Sequence, residues 1–457
     1  MTSLPSDTIA AIATPPGEGG ISLIRISGRA AIEVGDRVFR RAGSASYRLC
    51  QAETHTVHYG HVVFESVPLD EVLVTVLRAP RTFTVEDTVE IACHGGVRVT
   101  GMVLDAVLAS GARLAAPGEF TQRAFLNGRI DLAQAEAVAD LIHARTRRAV
   151  ASAREQLAGG LSRKVERISG ELMRVLAHLE AHIDFPEEDI QPETGGAMCL
   201  QLEAAEREIG ALLQTAGEGR ILRQGVRAVI LGRPNSGKSS LLNRLLDHDR
   251  AIVSAVPGTT RDTLEEWVEI RGLPVVLIDT AGLRETSDAL EAEGIRRSRA
   301  ALEGAELVVW VIDGSQELDP AETRLISETG GQPRVVVVNK SDLPGRVLLP
   351  EGITPVPVSC LSGDGIEALK DAIESMIGTV RGGEETSGVA INARHSDALR
   401  RSAAGIRVAM TALRTGIPPD LVAVDLRMAV TAIGEVCGRT TTEDLLDLIF
   451  SEFCLGK

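Results

Sequence analysis

Gly232-Arg-Pro-Asn-Ser-Gly237-Lys238-Ser239 concentrates the most chemistry in the fewest residues of this chain. It follows the pattern G-x-x-x-x-G-K-[ST] and stands between an apolar run, VRAVIL at 226–231, and a helical one, SLLNRLL at 240–246. In a strand–loop–helix setting, such glycines let backbone N–H groups converge on phosphate oxygens. Asn235, Ser236, Gly237, Lys238, Ser239 and Ser240 would then surround a phosphate chain. Lys238 reaches its β- and γ-groups and the Ser239 hydroxyl holds Mg²⁺. The alternative is a chance glycine-rich turn, and the flanking strand and helix argue against it.

A phosphate loop does not choose between adenine and guanine. Asn339-Lys340-Ser341-Asp342, after the run RVVVV, does. A carboxylate accepts two hydrogen bonds from the N1–H and N2–H₂ edge of guanine, which adenine lacks, and Asp342 is assigned that role. The Asn339 amide and Lys340 stem support the ring. Ser359-Cys360-Leu361, after PVPV, is placed to meet the base through its backbone, with Cys360 where alanine is commoner. Asp279-Thr280-Ala281-Gly282 ends the run VVLID. There Asp279 would contact Mg²⁺ through water, and the Gly282 N–H would sense the γ-phosphate. Between these motifs lies Gly258-Thr259-Thr260-Arg261-Asp262, where Thr260 would complete the Mg²⁺ shell. Four motifs in this order imply GTP hydrolysis and resemble the translation-factor-related branch of Ras-like GTPases. Leu283 follows Gly282 where Ras-like enzymes carry a water-orienting glutamine. Leucine cannot hydrogen-bond to water, so the orienting and charge-stabilising groups must come from elsewhere: a monovalent cation near the Asn235 amide oxygen, paired nucleotide domains, or a partner protein.

The elements that must position these residues fall into three textures. Residues 1–120 mix β-type runs (VLVTVL at 72–77, TVEIAC at 88–93) with turns and a helical stretch at 99–110, and read as an α/β domain. Residues 121–221 are helical. In LAQAEAVADLIHA at 132–144, Leu132, Ala135, Val138, Ala139 and Ile142 share one face. Between 222 and 380 the apolar runs VRAVIL, PVVLID, LVVWVID, RVVVVN and PVPVS alternate with helices, as in a mostly parallel sheet covered on both faces. RGGEETSG at 381–388 reads as a flexible linker, and helical texture resumes to the end at 457. The middle domain is thus expected to be inserted into a helical one.

Composition narrows the class. The net charge of −15 argues against a non-specific nucleic-acid coat, and an aromatic content of 3% argues against base stacking as a main contact. Two segments are locally basic: 145–174, with Arg145, Arg147, Arg148, Arg154, Arg163, Lys164, Arg167 and Arg174, and the tail with Arg394, Arg400, Arg401, Arg407 and Arg414. Each reads either as a phosphate-facing surface or as a solvated helix face. None of the six cysteines forms a C-x-x-C pair. His55, His58 and His61 do not share a strand face, which argues against a common metal. No apolar run approaches the ~18 residues of a membrane span, and the N-terminus has no targeting character. A reducing cytoplasm is expected.

Beyond the nucleotide motifs, four stretches carry a wider resemblance: ATPPGEGGISLIRISG at 13–28, VEIACHGG at 89–96, APGEFTQRAFLNGRIDLAQAEAVADLI at 116–142 and the terminal Cys454-Leu-Gly-Lys457. The whole chain resembles the bacterial MnmE (TrmE) family of tRNA modification GTPases. The resemblance implies a tetrahydrofolate-binding, dimerising α/β domain over 1–120 and a helical domain over 121–221 and 381–457, with a Ras-like G domain inserted over 222–380. It also implies an MnmG-type FAD protein as partner in a heterotetramer, tRNA as the macromolecular substrate, and transient pairing of G domains. An aminomethyl or carboxymethylaminomethyl group is then built at C5 of the wobble uridine, from a 5-formyl- or 5,10-methylene-type folate carbon. The resemblance places the folate on Arg25, Glu90, Arg129 and Lys457, with Arg129 where lysine is usual; apart from the resemblance, Arg25 and Glu90 read as a structural ion pair. It places K⁺ on Asn235, Ser254, Val256 and Thr259, and Mg²⁺ on Ser239 and Thr260. Ser254, Ala255, Val256, Pro257, Gly258 and Thr259 fall around the nucleotide. Glu291 takes the role of catalytic glutamate beside Lys238 and Asp279, and Cys454 is marked as a possible functional thiol. A ribosome-assembly GTPase switch is the alternative. It would carry a KH-like RNA domain or a second phosphate loop, and neither is visible here.

Overall fold

The computed structural model describes residues 7–44, 46–184, 195–249, 265–279, 304–319, 322–323, 326, 331–381, 389–451 and 453–456. They form two units, Met1–Ala139 with Cys437–Lys457, and Asp140–Val436.

The first unit is built on a seven-stranded sheet. In chain order its elements are β1 (Ile9–Ile12), β2 (Ile21–Ser27), α1 (Ala31–Val38), β3 (Phe39–Arg41), β4 (Thr56–Phe64), β5 (Val67–Leu77), β6 (Thr88–His94), α2 (Val97–Ala109), β7 (Arg113–Leu114), α3 (Glu119–Leu126) and α4 (Leu132–His143). The strand order is β3-β4-β5-β6-β2-β1-β7. Strict alternation drives one face inward: Val89, Ile91 and Cys93 of β6 and Ile24 and Ile26 of β2 are buried against Val34 and Val38 of α1 and Val103 and Val107 of α2. The opposite face carries Arg25 and Glu90, which are register partners on β2 and β6. Leu132 and Ala135 of α4 pack on Phe450 and Phe453 from the chain's end. The face expected for α4 is only partly the buried one. Ala133 and Ala137 are fully buried, while Ile142 is 43% exposed. The alanines carry no bulk that would mark them as core in a pattern of large apolar residues.

The second unit contains helices and a sheet. Its elements after α4 are α5 (Arg147–Leu157), α6 (Gly160–Asp184), α7 (Gly195–Gln214), α8 (Ala216–Gln224), β8 (Val226–Leu231), α9 (Lys238–Asp249), β9 (Glu265–Ile270), β10 (Leu273–Asp279), β11 (Leu307–Asp313), β12 (Arg334–Asn339), β13 (Pro355–Val358), α10 (Ile366–Arg381), α11 (Ala393–Arg414) and α12 (Pro419–Gly434). Along α6 the buried residues Leu161, Val165, Ile168, Leu172, Val175, Leu176 and Leu179 recur at helical spacing and make one stripe. Asn392 caps α11 by accepting from the His395 N–H, and the His395 ring accepts from the Asn392 N–H in return.

The sheet order is β13-β12-β11-β8-β10-β9, parallel throughout except for β9. Its central strands are buried on both faces. Ala228, Ile230, Val309 and Val311 enter one core, and Val229, Leu231, Val308, Trp310 and Ile312 enter the other. The antiparallel β9 adds a strand to the five expected, because EEWVEI puts charge at half its positions and reads as loop. It is an edge strand, joined to β10 by Arg271 and Gly272, both at positive φ as a tight hairpin turn requires.

Candidate nucleotide-binding site

Parallel strands deliver their carboxyl ends to one edge of the sheet, where a ligand is met by the loops. From β8 the chain enters the loop 232–237 and then α9. At Gly237 (φ +98) a Cβ would fall 2.0 Å from the Asn339 Nδ2 atom, and at Gly232 (φ +151) 2.1 Å from the Val311 carbonyl oxygen. Both the backbone conformation and the space therefore demand glycine. Asn235, also at positive φ (64), completes the turn. The Lys238 Nζ lies 2.8 Å from the Gly232 oxygen and 2.7 Å from the Arg233 oxygen. This folds the side chain back over the loop at the amino end of α9.

Asn339 ties this loop to the base-recognition loop. It is 2% exposed, its Nδ2 donates to the Ser236 carbonyl at 2.8 Å, and its Oδ1 accepts from the Cys360 N–H at 3.2 Å. Ser359 Oγ donates to Asp342 Oδ1 at 2.6 Å and accepts from the Ser362 N–H at 3.2 Å, which aims the Asp342 carboxylate. Lys340 Nζ pairs with Asp313 Oδ2 at 2.6 Å. Burial raises the Cys360 thiol above its ordinary pKa.

The result is a cavity of about 680 Å³ lined by Pro234, Asn235, Gly237, Lys238, Ser239, Ser240, Asn339, Lys340, Asp342, Leu343, Cys360 and Leu361. Phosphate-loop and base-loop residues read from separate motifs thus meet in one space. Ser236 and Ser359 stand behind it, both 1% exposed. Sequence reasoning missed Pro234, Leu343 and Asp313. The signal for Asp313 was its place at the carboxyl end of a parallel strand. Asp279 ends β10 beside Ile230 of β8. Ser254, Ala255, Val256, Pro257, Gly258, Thr259, Thr260, Thr280, Ala281, Gly282 and Glu291 lie outside the described residues.

A second polar cluster lies in the first unit. Arg25 Nε donates to Glu90 Oε1 at 2.8 Å, its Nη1 reaches the Gly456 carbonyl at 3.4 Å, and its guanidinium sits 5.7 Å from the Phe120 ring centroid. Arg129 lies 5.5 Å from the Phe83 ring centroid and donates to the Thr82 carbonyl. Phe83 packs in the same apolar cluster as Phe120. Arg25, Glu90 and the chain's end thus come together, and Arg129 flanks the same aromatic cluster. Lys457 lies outside the described residues.

Part of each basic segment is matched by acids from elsewhere in the chain. Arg148 meets Glu218 and Glu374, Arg167 meets Glu208, Arg401 meets Glu435, Arg407 meets Glu206 and Arg414 meets Glu203. Arg145 stacks 4.0 Å from the Trp267 ring centroid. His58 of β4 is buried while His55 and His61 are not. Among the described residues no group of His, Cys, Asp and Glu is arranged to hold a metal. Among them, too, no helix is long and apolar enough to cross a membrane.

Two family descriptions match: "GTP-binding protein TrmE N-terminus" over residues 8–129 and "MnmE helical domain" over 132–454. The tRNA modification GTPase MnmE of Bacillus subtilis (strain 168) is 45% identical over 462 residues, covering 99% of this chain and 100% of the relative. That of Geobacter sulfurreducens is 47% identical over 457 residues, covering 99% of each. The solved structure of the FeoB G-domain from Methanococcus jannaschii aligns with 33% of this chain and 97% of that one, at 26% identity and a TM-score of 0.25. So partial an overlap adds nothing to the assignment, which rests on the full-length relatives: the chain belongs to the MnmE (TrmE) family of tRNA modification GTPases.

Proposed function

We propose that this chain binds and hydrolyses GTP and that hydrolysis serves tRNA modification. The observation that carries the nucleotide reading is the Asn339–Ser236 hydrogen bond, which joins a phosphate loop and a guanine-type base loop around one cavity. The relatives' shared description, over essentially the whole chain, supports the tRNA role.

The division of labour follows the segments 1–120, 121–221, 222–380 and 381–457. In the G domain, Lys238 and the loop N–H groups bind phosphate, and Asp342 reads the guanine edge. Mg²⁺ suits the hard oxygen donors of Ser239, Thr260 and Asp279 and neutralises phosphate charge when bound. Leu283 cannot orient water, so Glu291 takes that role. K⁺, held by Asn235 with oxygens of Ser254, Val256 and Thr259, supplies the positive charge an arginine would otherwise bring. GTP hydrolysis in K⁺ should exceed that in Na⁺ severalfold, and equal rates would mean that no monovalent cation takes part in hydrolysis.

In the N-terminal domain, Arg25, Glu90 and Arg129, with Lys457, hold a tetrahydrofolate derivative. Cationic and carboxylate groups beside the partly exposed Phe83 ring, with Phe120 buried behind it, suit a flat, polar-edged ligand with a carboxylate tail. Such a ligand, when bound, would supply the one-carbon unit destined for C5 of the wobble uridine, with an MnmG-type flavoprotein as the redox partner. The chain works as a cytoplasmic homodimer whose G domains pair transiently. Cys454 is exposed and is assigned no chemical step.

The test is nucleoside mass spectrometry of bulk tRNA from a strain lacking the gene, complemented with wild type or Lys238→Ala. Aminomethyl-type wobble uridines should vanish on deletion and return only with the wild type. If deletion leaves them untouched, the tRNA role falls and the ribosome-assembly switch takes its place.

A further inference from the structure

Asp313 closes β11, one strand over from the base-recognition strand, and stands in register with Asn339 of β12. Its side chain is 11% exposed. Oδ2 accepts from Lys340 Nζ at 2.6 Å, while Oδ1 accepts from the Ser315 N–H at 3.0 Å and from Ser315 Oγ at 2.6 Å. Burial alone would raise this carboxyl, but the Lys340 ammonium and the Ser315 hydrogen bonds outweigh it and hold the pKa below the usual range. The adjoining turn grips the same loop through its backbone. The Gly314 N–H donates to the Asn339 carbonyl at 2.9 Å, and the Gly314 carbonyl accepts from the Arg346 N–H at 2.9 Å. A Cβ at Gly314 would fall 2.8 Å from Val338 Cγ1 and 2.9 Å from the Asn339 carbonyl oxygen, so the approach requires glycine.

Lys340 needs such a hold. Its backbone is left-handed (φ 62), outside any regular element, and the residue lines the nucleotide cavity. A stem of four rotatable bonds that is ordered only on ligand arrival costs binding energy, whereas one fixed in advance does not.

We propose that Asp313 is a positioning residue for guanine-nucleotide binding: its ion pair with Lys340 holds the lysine stem as a preformed platform for the base. The inference rests on the reading of this cavity as a guanine-nucleotide site. It assigns Asp313 no contact with the nucleotide, and the effect runs through Lys340 alone.

The experiment is a double-mutant cycle on the full-length chain, with fluorescent GDP as probe and thermal melting recorded for every variant. Asp313→Asn keeps the size and the acceptor for Ser315 but removes the charge. It should raise the Kd by about tenfold, as should Lys340→Met. The double variant should bind no more weakly than Lys340→Met alone, because the second change removes a partner already absent. GTP turnover should show the loss mainly in KM. A merely structural role would lower the melting temperature and give losses that multiply. Multiplying losses, or a Kd within about twofold of wild type for Asp313→Asn, would overturn the proposal. A wild-type chain that binds GDP no better than ADP would instead overturn the guanine reading itself, and the proposal with it.

Discussion

In the nucleotide cavity the working groups come from runs of eight, four and three neighbouring residues, carried on loops at the ends of parallel strands. In the N-terminal unit, Arg25 finds Glu90 65 positions away and the Gly456 carbonyl 431 positions away. The same contrast holds for Arg123. It is 1% exposed and gathers Asp7, Glu86 and Glu119 from three separate places. A site that uses backbone N–H groups must keep its residues contiguous, because loop geometry sets the spacing. A site that uses side chains across a sheet needs only register, so it leaves no compact motif. The two sites should therefore break differently: the first most severely by a backbone change, the second by loss of a single charge.

The largest effect is expected at Arg123. Its Nη2 lies 2.7 Å from Asp7 Oδ1 and 2.9 Å from Glu119 Oε1, and Nη1 reaches Glu86. Arg123→Met removes the buried cation shared by Asp7, Glu86 and Glu119, leaving Glu119 to Arg113 and the Ala116 N–H, and should cost about 3 kcal/mol in urea unfolding, the lower end for removal of one partner from a buried ion pair. A loss under about 1 kcal/mol, the scale of an exposed pair, would show that side-chain charges do not hold this unit together.

Next comes Gly237→Ala, where the added methyl meets Asn339 in a backbone conformation L residues avoid. Nucleotide affinity should fall by about 100-fold or more, with folate binding unaffected. Calorimetry with both ligands checks this, and retained GDP affinity would mean that the loop does not depend on its backbone.

The reciprocal change, Arg25→Ala, should weaken 5-formyltetrahydrofolate binding by about tenfold, the scale of a lost charge-assisted hydrogen bond. It should leave GTP hydrolysis intact. If both activities persist unchanged, the folate assignment is wrong; if both fall, the two sites are not separable.

The smallest effect concerns His94. Its Nδ1 lies 2.7 Å from Asp70 Oδ1, and this hydrogen bond and charge raise the imidazole pKa. The raised folded value means that the pair stabilises the fold below the ordinary imidazole range, and that this contribution is lost as pH rises through the raised value. NMR titration of His94 should show the upward shift, and Asp70→Asn should lower it toward the ordinary value. A titration indifferent to Asp70 would leave the pair without influence.

Much of the fold was readable from pattern. The runs VRAVIL, LVVWVID and RVVVVN are apolar at nearly every position because both faces of their strands are buried. EEWVEI hid its strand because an edge position tolerates charge. The basic stretches read from sequence either as a phosphate-facing surface or as a solvated helix face, and neither reading foresaw the acidic partners that some of them have. Glu203, Glu206 and Glu208 of α7 answer Arg414, Arg407 and Arg167, and no local pattern announces pairs that distant helices create.

By itself the sequence determined the phosphate loop, the base-reading loop and the strands that carry them. Those features depend on backbone conformation and on burial periodicity, both written in adjacent residues. Only the tertiary structure decided that Asn339 links the two loops, that Asp313 backs Lys340, and that Arg25 meets Glu90. These pairings depend on which strands lie side by side and in what register, and that is set by the packing of the whole sheet.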